Sequence, residues 1–239
     1  DIERLFEHVI APEDVAAFIL EPIQGEGGYV IPPQSWPRAL RQICDQHGIL
    51  LIADEVQSGF GRTGRWFAYE HFDLRPDIVT VAKGLASGLP ISGVFSRMEL
   101  MKKWEPGTHG GTFGGNVVSA AAGVATIRAM REEGMLENAR ERGEQLIAGL
   151  RRLQQEYPAI GDVRGLGLMV GVEFRDAQGK PDKSSAKEVV HACLERKLLL
   201  LTCGAWDNTI RFIPPLVVSQ SQIQQGLEVF AAALKEVCG

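Results

Sequence analysis

Three polar residues of the first third of the chain each follow a short apolar run, and their types can carry acid, base or amine chemistry. They are Glu21 after AAFIL (16–20), Asp54 after ILLIA (49–53) and Lys83 after DIVTVA (77–82). In a wrapped α/β sheet, ligands bind outside the carboxyl ends of the strands. A desolvated lysine amine attacks carbonyls to form imines, and a neighbouring carboxylate keeps a heteroaromatic nitrogen protonated. We therefore predict a site in which a buried Lys83 faces Asp54.

The alternative interpretation of these residues is structural. An isolated lysine is usually a solvated surface group, and an isolated Asp-Glu pair is usually part of a loop or cap. Here, however, each strand end runs into a glycine-containing segment, namely EPIQGEGG, DEVQSGFGRTG or AKGLASG. Glycine permits a close approach of backbone to a ligand, so the pattern favours a functional site over a solvated surface.

The elements that must position these residues follow from the apolar pattern. The runs at 16–20, 49–53, 77–82 and 91–95 have strand length, and their continuous apolarity predicts strands covered on both faces. Between the first two runs, SWPRALRQICDQHG has Ser35 as a candidate cap, Pro37 in the first turn and Gly48 past the end. This strand, helix, strand order predicts a mainly parallel α/β sheet.

The pattern changes after residue 115. Helical periodicity runs through two long segments, with Gly134 as the break between them, so we predict domains at 1–134 and 135–239. In the second domain, segments 163–175, 198–201 and 209–213 are interpreted as strands and 186–197 as a helix. The last helix begins at Ser219, where Ser219-x-x-Gln222 fits a capping box. We predict a smaller α+β domain.

Composition excludes several classes of function. The chain has 239 residues, 45% of them hydrophobic, and a net charge of -5 with scattered basic residues, which argues against a nucleic-acid partner. No apolar run approaches the roughly 20 residues of a membrane span, and the default expectation is a cytoplasmic protein. The four cysteines lie far apart, so neither a zinc site nor a disulfide framework is indicated. Arg62 and Arg65 are interpreted as parts of a solvated turn.

Six segments of the chain resemble the class III pyridoxal-phosphate-dependent aminotransferases, the family of 4-aminobutyrate, ornithine and acetylornithine aminotransferases. They are EPIQGEGG (21–28), IADEVQSGFGRTG (52–64), AKGLASGLPISG (82–93), GGTFGGN (110–116), GDVRGLGLMVGVE (161–173) and IRFIPPL (210–216). The resemblance implies the C-terminal part of a fold-type I transferase that uses pyridoxal 5'-phosphate. The segment LLLLTCGAWDNTIRFIPPL is most similar to bacterial 4-aminobutyrate aminotransferases.

The resemblance also implies roles for single residues. Lys83 resembles the lysine that forms the Schiff base and then shuttles the substrate's Cα proton, and Asp54 the partner of the pyridinium nitrogen. Val56 resembles the residue that packs on the cofactor ring, and Gln57 the amide that binds its phenolic oxygen. Thr112 resembles the residue that reaches the cofactor phosphate of a neighbouring subunit, which implies a homodimer with shared sites. Glu21 is expected to give a supporting hydrogen bond.

Glu26 and Arg211 resemble the family's switchable pair. A guanidinium binds the α-carboxylate of 2-oxoglutarate or glutamate in a bidentate, planar contact. An amino donor without an α-carboxylate would leave that arginine as an unpaired charge in a dry site, which is costly. Glu26 is therefore expected to neutralise Arg211 in that half-reaction.

Several interpretations of the function stay open. Within the family, 4-aminobutyrate with 2-oxoglutarate is preferred, and ornithine, acetylornithine or a diamine is the alternative donor. Because family members carry about one further domain before this segment, we expect the chain by itself to be incomplete. A non-catalytic fragment is a second class of function. A nicotinamide-dependent dehydrogenase is a weak third, since no strand is followed by Gly-x-Gly-x-x-Gly.

Overall fold

The computed structural model describes all residues 1–239, which divide into two compact units. The first unit consists of residues 1–22, 32–60 and 67–129, and the second of residues 23–31, 61–66 and 130–239. No helix of the chain is both long enough and apolar enough to traverse a lipid bilayer.

The first unit is built on a four-stranded sheet. Its elements are α1 (Ile2–His8), β1 (Ala17–Leu20), α2 (Ser35–His47), β2 (Leu50–Asp54), β3 (Ile78–Val81), β4 (Gly93–Ser96), α3 (Met98–Met101) and α4 (Val117–Glu132), the last of which ends in the second unit's range. The sheet order is β1-β2-β3-β4, with the first three strands parallel and β4 antiparallel to β3. The predicted mainly parallel α/β sheet is thus confirmed.

Helix α2 and strand β2 show how the apolar pattern is used. Pro37, Leu40 and Cys44 are the buried residues of α2, and Gly48 ends the helix in the left-handed conformation with φ 69°. Ser35 is the first helical residue and not the cap, because Gln34 occupies that position. Along β2, buried and half-buried residues alternate, so the expected full burial of both faces is not reached within this chain.

Asp77 joins helix α2 to the sheet at the start of β3. One carboxylate oxygen accepts hydrogen bonds from Arg41 at 2.8 Å and from the backbone N–H of Leu51 at 2.9 Å, and the other accepts from Arg97 at 3.0 Å. Burial favours the neutral acid, but these donors and the two arginine charges outweigh it and lower the pKa of Asp77. The carboxylate therefore ties a helix, two strands and the chain after β4 together.

The second unit combines an antiparallel sheet with three helices. Its elements are α5 (Met135–Glu156), β5 (Ile160–Leu166), β6 (Met169–Phe174), α6 (Lys183–Glu195), β7 (Leu201–Cys203), β8 (Thr209–Phe212) and α7 (Gln220–Cys238). The sheet order is β5-β6-β8-β7, and buried residues of all three helices pack on it in one core. Ser219 and Gln222 form both hydrogen bonds of the predicted capping box.

The predicted strand at 198–201 is displaced in the structure. Strand β7 covers Leu201–Cys203, so only Leu201 of the predicted segment belongs to it. Leu198–Leu200 follow Lys197, whose φ of 67° turns the chain after helix α6. An unbroken leucine run gives no signal for where a turn ends and a strand begins, which explains the error.

Candidate functional site

The predicted strand-end residues lie at one edge of the first sheet. The parallel register pairs Leu20 with Ala53 and Asp54 with Thr80, so the carboxyl ends of β1, β2 and β3 point to the same edge. Glu21 directly follows Leu20, and Lys83 comes three residues after Thr80. The sheet therefore brings the ends of three neighbouring strands, each followed by a chemically active residue, to a common edge.

The turn after β2 is fixed by two adjacent carboxylates. Asp54 accepts a hydrogen bond from the backbone N–H of Val56 at 3.0 Å, which orients its carboxylate at the strand end. Glu55 is buried and accepts from the Ser58 hydroxyl at 2.6 Å and from the backbone N–H of Tyr69 at 2.8 Å. Burial raises the pKa of Glu55, and these hydrogen bonds oppose the rise only in part.

Glu55 was missed in the sequence analysis. The residue stands next to Asp54 in DEVQSG and has the same charge, but its carboxylate is used inside the fold to hold the turn that carries Val56 and Gln57. Strand alternation is the signal that could have found it, because neighbouring residues point in opposite directions.

Lys83 is the second residue after β3, begins the 3-10 turn Lys83–Ala86 and has a positive φ of 27°. Its side chain is exposed, so the prediction of a buried amine is wrong for this chain. The physical reason is that the chain leaves the sheet at Ala82, and side chains beyond the last paired residue are not covered by neighbouring strands. Gly84 allows this turn to pass close to Phe60, since a Cβ there would lie 3.2 Å from the Phe60 side chain.

A cavity of about 600 Å³ opens beside Lys83. Its lining comes from three short segments and one residue of helix α4, namely Ala82–Lys83, Gly88–Ser92, Phe113–Asn116 and Ser119. Thr112 is exposed and directly precedes the lining segment that begins at Phe113. The structure thus places Lys83 beside the GGTFGGN segment, whereas Glu21, Asp54, Val56 and Gln57 do not line this cavity.

In the second unit, Glu26 and Arg211 form an ion pair. The Arg211 side chain on β8 is only 16% exposed, whereas the Glu26 side chain is 66% exposed. Burial acts to lower the pKa of Arg211, but the hydrogen bond and charge of Glu26 outweigh it and leave the pKa raised. The arginine is therefore a fixed, charged group, and the carboxylate is the partner that faces solvent.

Tyr29 lies beside the Glu26–Arg211 pair, and nothing in the sequence predicted a role for it. It is fully buried, its hydroxyl has no hydrogen-bond partner, and burial raises its pKa to about 12. Gly171, the register partner of Arg211, makes room for it: a Cβ at position 171 would lie 3.1 Å from the Cβ of Tyr29. Tyr29 thus packs on the sheet beside Arg211.

Arg62 corrects the prediction of a solvated turn. Its guanidinium donates to the backbone carbonyls of Leu168 at 3.2 Å and Pro214 at 2.5 Å, and burial lowers its pKa. The side chain therefore ties two loops of the second unit together. Arg65 is exposed, in agreement with the expectation for that residue.

Comparisons with known proteins agree with the resemblance seen in the motifs. Residues 1–234 match the family model described as aminotransferase class-III. The 5-aminovalerate aminotransferase DavT of Pseudomonas putida is 44% identical over 237 residues, which are 99% of this chain and 56% of that protein. The 4-aminobutyrate aminotransferase GabT of Escherichia coli is 43% identical over 98% of this chain and 56% of its own length. The chain thus spans about half the length of these curated relatives.

A solved structure supports the fold. The transaminase from the marine bacterium Virgibacillus superposes with a TM-score of 0.92 at 35% identity, covering 99% of this chain and 56% of that one. Other relatives, 40 to 42% identical, are an acetylornithine aminotransferase and two amino-acid racemases, so similarity by itself does not fix the substrate. The match over nearly the whole chain and the shared fold lead to one conclusion: the chain belongs to the class III aminotransferases, a pyridoxal-phosphate-dependent family.

Proposed function

We propose that this protein transfers an amino group from an ω-amino donor such as 4-aminobutyrate to 2-oxoglutarate, with pyridoxal 5'-phosphate attached to Lys83. The observation that carries the proposal is the ion pair of Glu26 with the mostly buried Arg211. Such a pair suits an enzyme that binds two substrates, one with an α-carboxylate and one without. Ornithine, acetylornithine or a diamine is the alternative donor, because the same pair would serve each of them.

The first unit has donor groups of the types that the cofactor needs, although Asp54 does not line the cavity beside Lys83. Lys83 supplies an accessible amine beside a cavity, and Asp54 supplies a carboxylate held in place by the N–H of Val56. Bound pyridoxal phosphate supplies an electron sink that allows the Cα proton of an amino substrate to leave. In this proposal, the Lys83 amine holds the cofactor and afterwards accepts that proton at Nζ, while Asp54 keeps the pyridine nitrogen protonated.

Four further residues are assigned supporting contacts in this proposal. Val56 packs on one face of the cofactor ring, and the amide of Gln57 binds the phenolic oxygen. Thr112 reaches the phosphate held by a neighbouring subunit, so the proposal includes a homodimer with shared sites. Glu21 supports these residues through a hydrogen bond at the same strand edge. A cytoplasmic location is part of the proposal as well.

The Glu26–Arg211 pair selects between substrates in two ways. When 2-oxoglutarate or glutamate is bound, the planar guanidinium of Arg211 forms two parallel hydrogen bonds with the α-carboxylate, and Glu26 turns away. When a donor without that carboxylate is bound, Glu26 stays on Arg211 and avoids an unpaired buried charge. The exposed position of the Glu26 side chain supports this division of roles.

The cofactor assignment is tested by borohydride reduction of the protein loaded with pyridoxal phosphate. We expect covalent attachment of the cofactor at Lys83, located by peptide mass spectrometry. The Lys102→Ala protein is the control and is expected to be labelled fully at Lys83. Labelling at a different lysine, or none, would contradict the assignment.

The substrate assignment is tested by measuring the two half-reactions separately. Arg211→Lys and Arg211→Ala are expected to reduce kcat/KM with 2-oxoglutarate by about 100-fold, since a bidentate charge-assisted contact is lost. The reaction with 4-aminobutyrate should fall less than about tenfold. Equal losses in both half-reactions would remove the switch from the proposal, and a panel of ω-amino donors would identify the preferred one.

A further inference from the structure

Residues 24–30, the Glu26 loop, form a closed turn within the second unit. The loop ends are joined by the backbone hydrogen bond from Gln24 N–H to the Val30 carbonyl at 3.0 Å. Inside the loop, the N–H groups of Gly28 and Tyr29 both donate to the Gly25 carbonyl. Glu26 therefore lies at the tip of a turn whose own backbone is internally bonded.

Arg164 on strand β5 binds this loop from the side. Its Nε and Nη2 atoms both donate to the Gly28 carbonyl, at 2.9 and 2.7 Å. Its Nη1 donates to Asp162 and Glu173, each at 2.8 Å, and the side chain is only 16% exposed. Two carboxylates thus hold the guanidinium in place, Nε and Nη2 both donate to one backbone carbonyl of the loop, and Nη2 also makes a longer contact of 3.4 Å with the Thr209 hydroxyl.

Two glycines permit this contact. Gly28 has φ +116°, a backbone conformation that residues with a side chain rarely adopt. A Cβ there would lie 3.3 Å from both Nη2 of Arg164 and Cα of Gly204. Gly204 follows β7 with φ +87°, and its N–H donates to the Glu26 carbonyl at 2.9 Å. The backbone of Glu26 itself is therefore bonded to the sheet.

These ties separate the motion of the Glu26 side chain from that of its backbone. Arg164 comes from strand β5, and Gly204 comes from the turn after β7. Arg211, the partner of the Glu26 side chain, comes from β8. With the backbone held from two sides, separation of Glu26 from Arg211 requires only side-chain rotation. Rotation of an exposed side chain is fast and costs little, whereas displacement of the loop would break several hydrogen bonds.

We propose that Arg164 is a positioning residue for the Glu26–Arg211 pair: it anchors the Glu26 loop so that the pair opens and closes by rotation of the Glu26 side chain. This inference rests on the proposed switching role of Glu26 and Arg211. It adds a residue that contacts neither substrate nor cofactor in the proposed reaction.

The anchoring is tested by amide hydrogen exchange in the Arg164→Met protein. We expect the amides of Gly204 and Gly28 to exchange about tenfold faster or more, because the charge-assisted bonds that hold the loop are lost. Arg175→Met is the matched control, since Arg175 also pairs with Glu173 but forms no bond to the Glu26 loop. Exchange at Gly204 that is unchanged in Arg164→Met, or equally faster in Arg175→Met, would overturn the inference.

Arg164→Lys is a second, milder variant in case Arg164→Met fails to fold. A lysine keeps a positive charge between Asp162 and Glu173 but has no planar fork for the Gly28 carbonyl. We expect faster exchange at Gly204 in this variant too, by a smaller factor than in Arg164→Met. Exchange at the rate of the unmodified protein would overturn the anchoring role.

The link to the reaction is tested by combining Arg164→Met with Glu26→Gln. Alone, Arg164→Met is expected to lower kcat/KM for 4-aminobutyrate about tenfold and for 2-oxoglutarate less than about threefold. In the Glu26→Gln background it should have no further effect on the 4-aminobutyrate half-reaction, because both changes act through one group. Additive losses, or equal losses in both half-reactions, would overturn the inference. If the unmodified holoenzyme performs neither half-reaction, the proposed function fails, while the exchange measurement still tests the anchoring.

Discussion

The two sheets of this protein present their chemically active residues in different ways. In the second unit, Arg211 lies mostly buried in a strand, has its partner Glu26 in place, and stands beside the fully buried Tyr29. In the first unit, Lys83 and Thr112 are exposed in turns and loops beyond the strand ends. The second unit thus contains an assembled ion pair within its own packing, and the first presents separate groups at an open edge.

The first unit has more exposed large apolar residues than the second. The first unit has exposed apolar residues in β4, in α3 and around the start of α4, including Phe95, Met98, Val117 and Phe113, which is 85% exposed. The second unit also exposes apolar side chains, among them Leu199, Trp206 and Val217, but it buries a continuous core between its sheet and three helices. Large exposed apolar areas are typical of surfaces that contact another protein. A group on a packed strand is therefore positioned by its own unit, whereas the cavity beside Lys83 is lined in part by an apolar side chain, Phe113, that the first unit leaves exposed.

The largest expected effect is the loss of activity in Lys83→Ala. In the proposed reaction the Lys83 amine holds the cofactor and accepts the proton, so its removal should lower the rate of either half-reaction by about 1,000-fold or more. The free energy of unfolding should change by less than about 0.5 kcal/mol, because the side chain is exposed. Stopped-flow half-reactions and urea unfolding measure the two quantities, with Lys102→Ala as the control. A large loss of stability would break the contrast between the two units.

Gly143→Ala tests the tight packing of the second unit. A Cβ at position 143 of α5 would lie 2.1 Å from the carbonyl oxygen of Gly167, so helix and turn must separate. We expect the free energy of unfolding to fall by about 3 kcal/mol, more than the roughly 1 kcal/mol that alanine gains in helix propensity. Urea denaturation measures the change. An unchanged midpoint would show that this unit is less rigid than its core indicates.

Asp77→Asn tests whether the stability of the first unit depends on the ion pairs of Asp77. We expect a loss of about 2 kcal/mol in the free energy of unfolding, since Arg41 would lose a half-buried partner. Asp73→Asn is the control, because Asp73 also pairs with an arginine but its side chain is 81% exposed. A loss as large in Asp73→Asn would contradict the importance of burial.

The lowered pKa of Asp77 predicts that the free energy of unfolding depends on pH. Although burial opposes ionisation, the hydrogen bonds from Arg41 and Leu51 N–H and the charges of Arg41 and Arg97 leave the pKa of Asp77 below its unfolded value. Its contribution to stability is therefore complete above the unfolded pKa of about 4 and is lost as the pH falls through the lower, folded pKa. Urea unfolding between pH 6 and 3 should show a smaller acid-induced loss in Asp77→Asn than in the unmodified protein. Parallel curves would exclude Asp77 as a source of the pH dependence.

The smallest expected effect is a gain of stability in Gly226→Ala. Apart from the chain neighbours and the backbone of the helix itself, no atom lies within 4 Å of a Cβ at this position of helix α7, in contrast to Gly143. Alanine should raise the free energy of unfolding by about 0.5 to 1 kcal/mol through its higher helix propensity. Thermal unfolding measures the shift. A loss of stability would show that the surface of α7 is more constrained than its open surroundings indicate.

Much of the architecture could be predicted from local signals. Runs such as ILLIA and DIVTVA predicted strands at nearly the observed residues, and the Ser219 capping box began α7 where expected. The exposure of Lys83, the buried use of Glu55 and the inward position of Arg62 were not predicted. These features depend on which distant segments cover a side chain, and neighbouring residues in the sequence contain no such information.

The sequence by itself determined the order of the elements, the family resemblance and the residue types that stand at the strand ends, because these depend on local periodicity and on motif spacing. Only the tertiary structure decided that Arg164 binds the Gly28 carbonyl and that Gly204 binds the Glu26 carbonyl. Those contacts join residues more than 130 positions apart, and their formation requires strand pairing, twist and the positive φ of two glycines to bring particular atoms within hydrogen-bond distance.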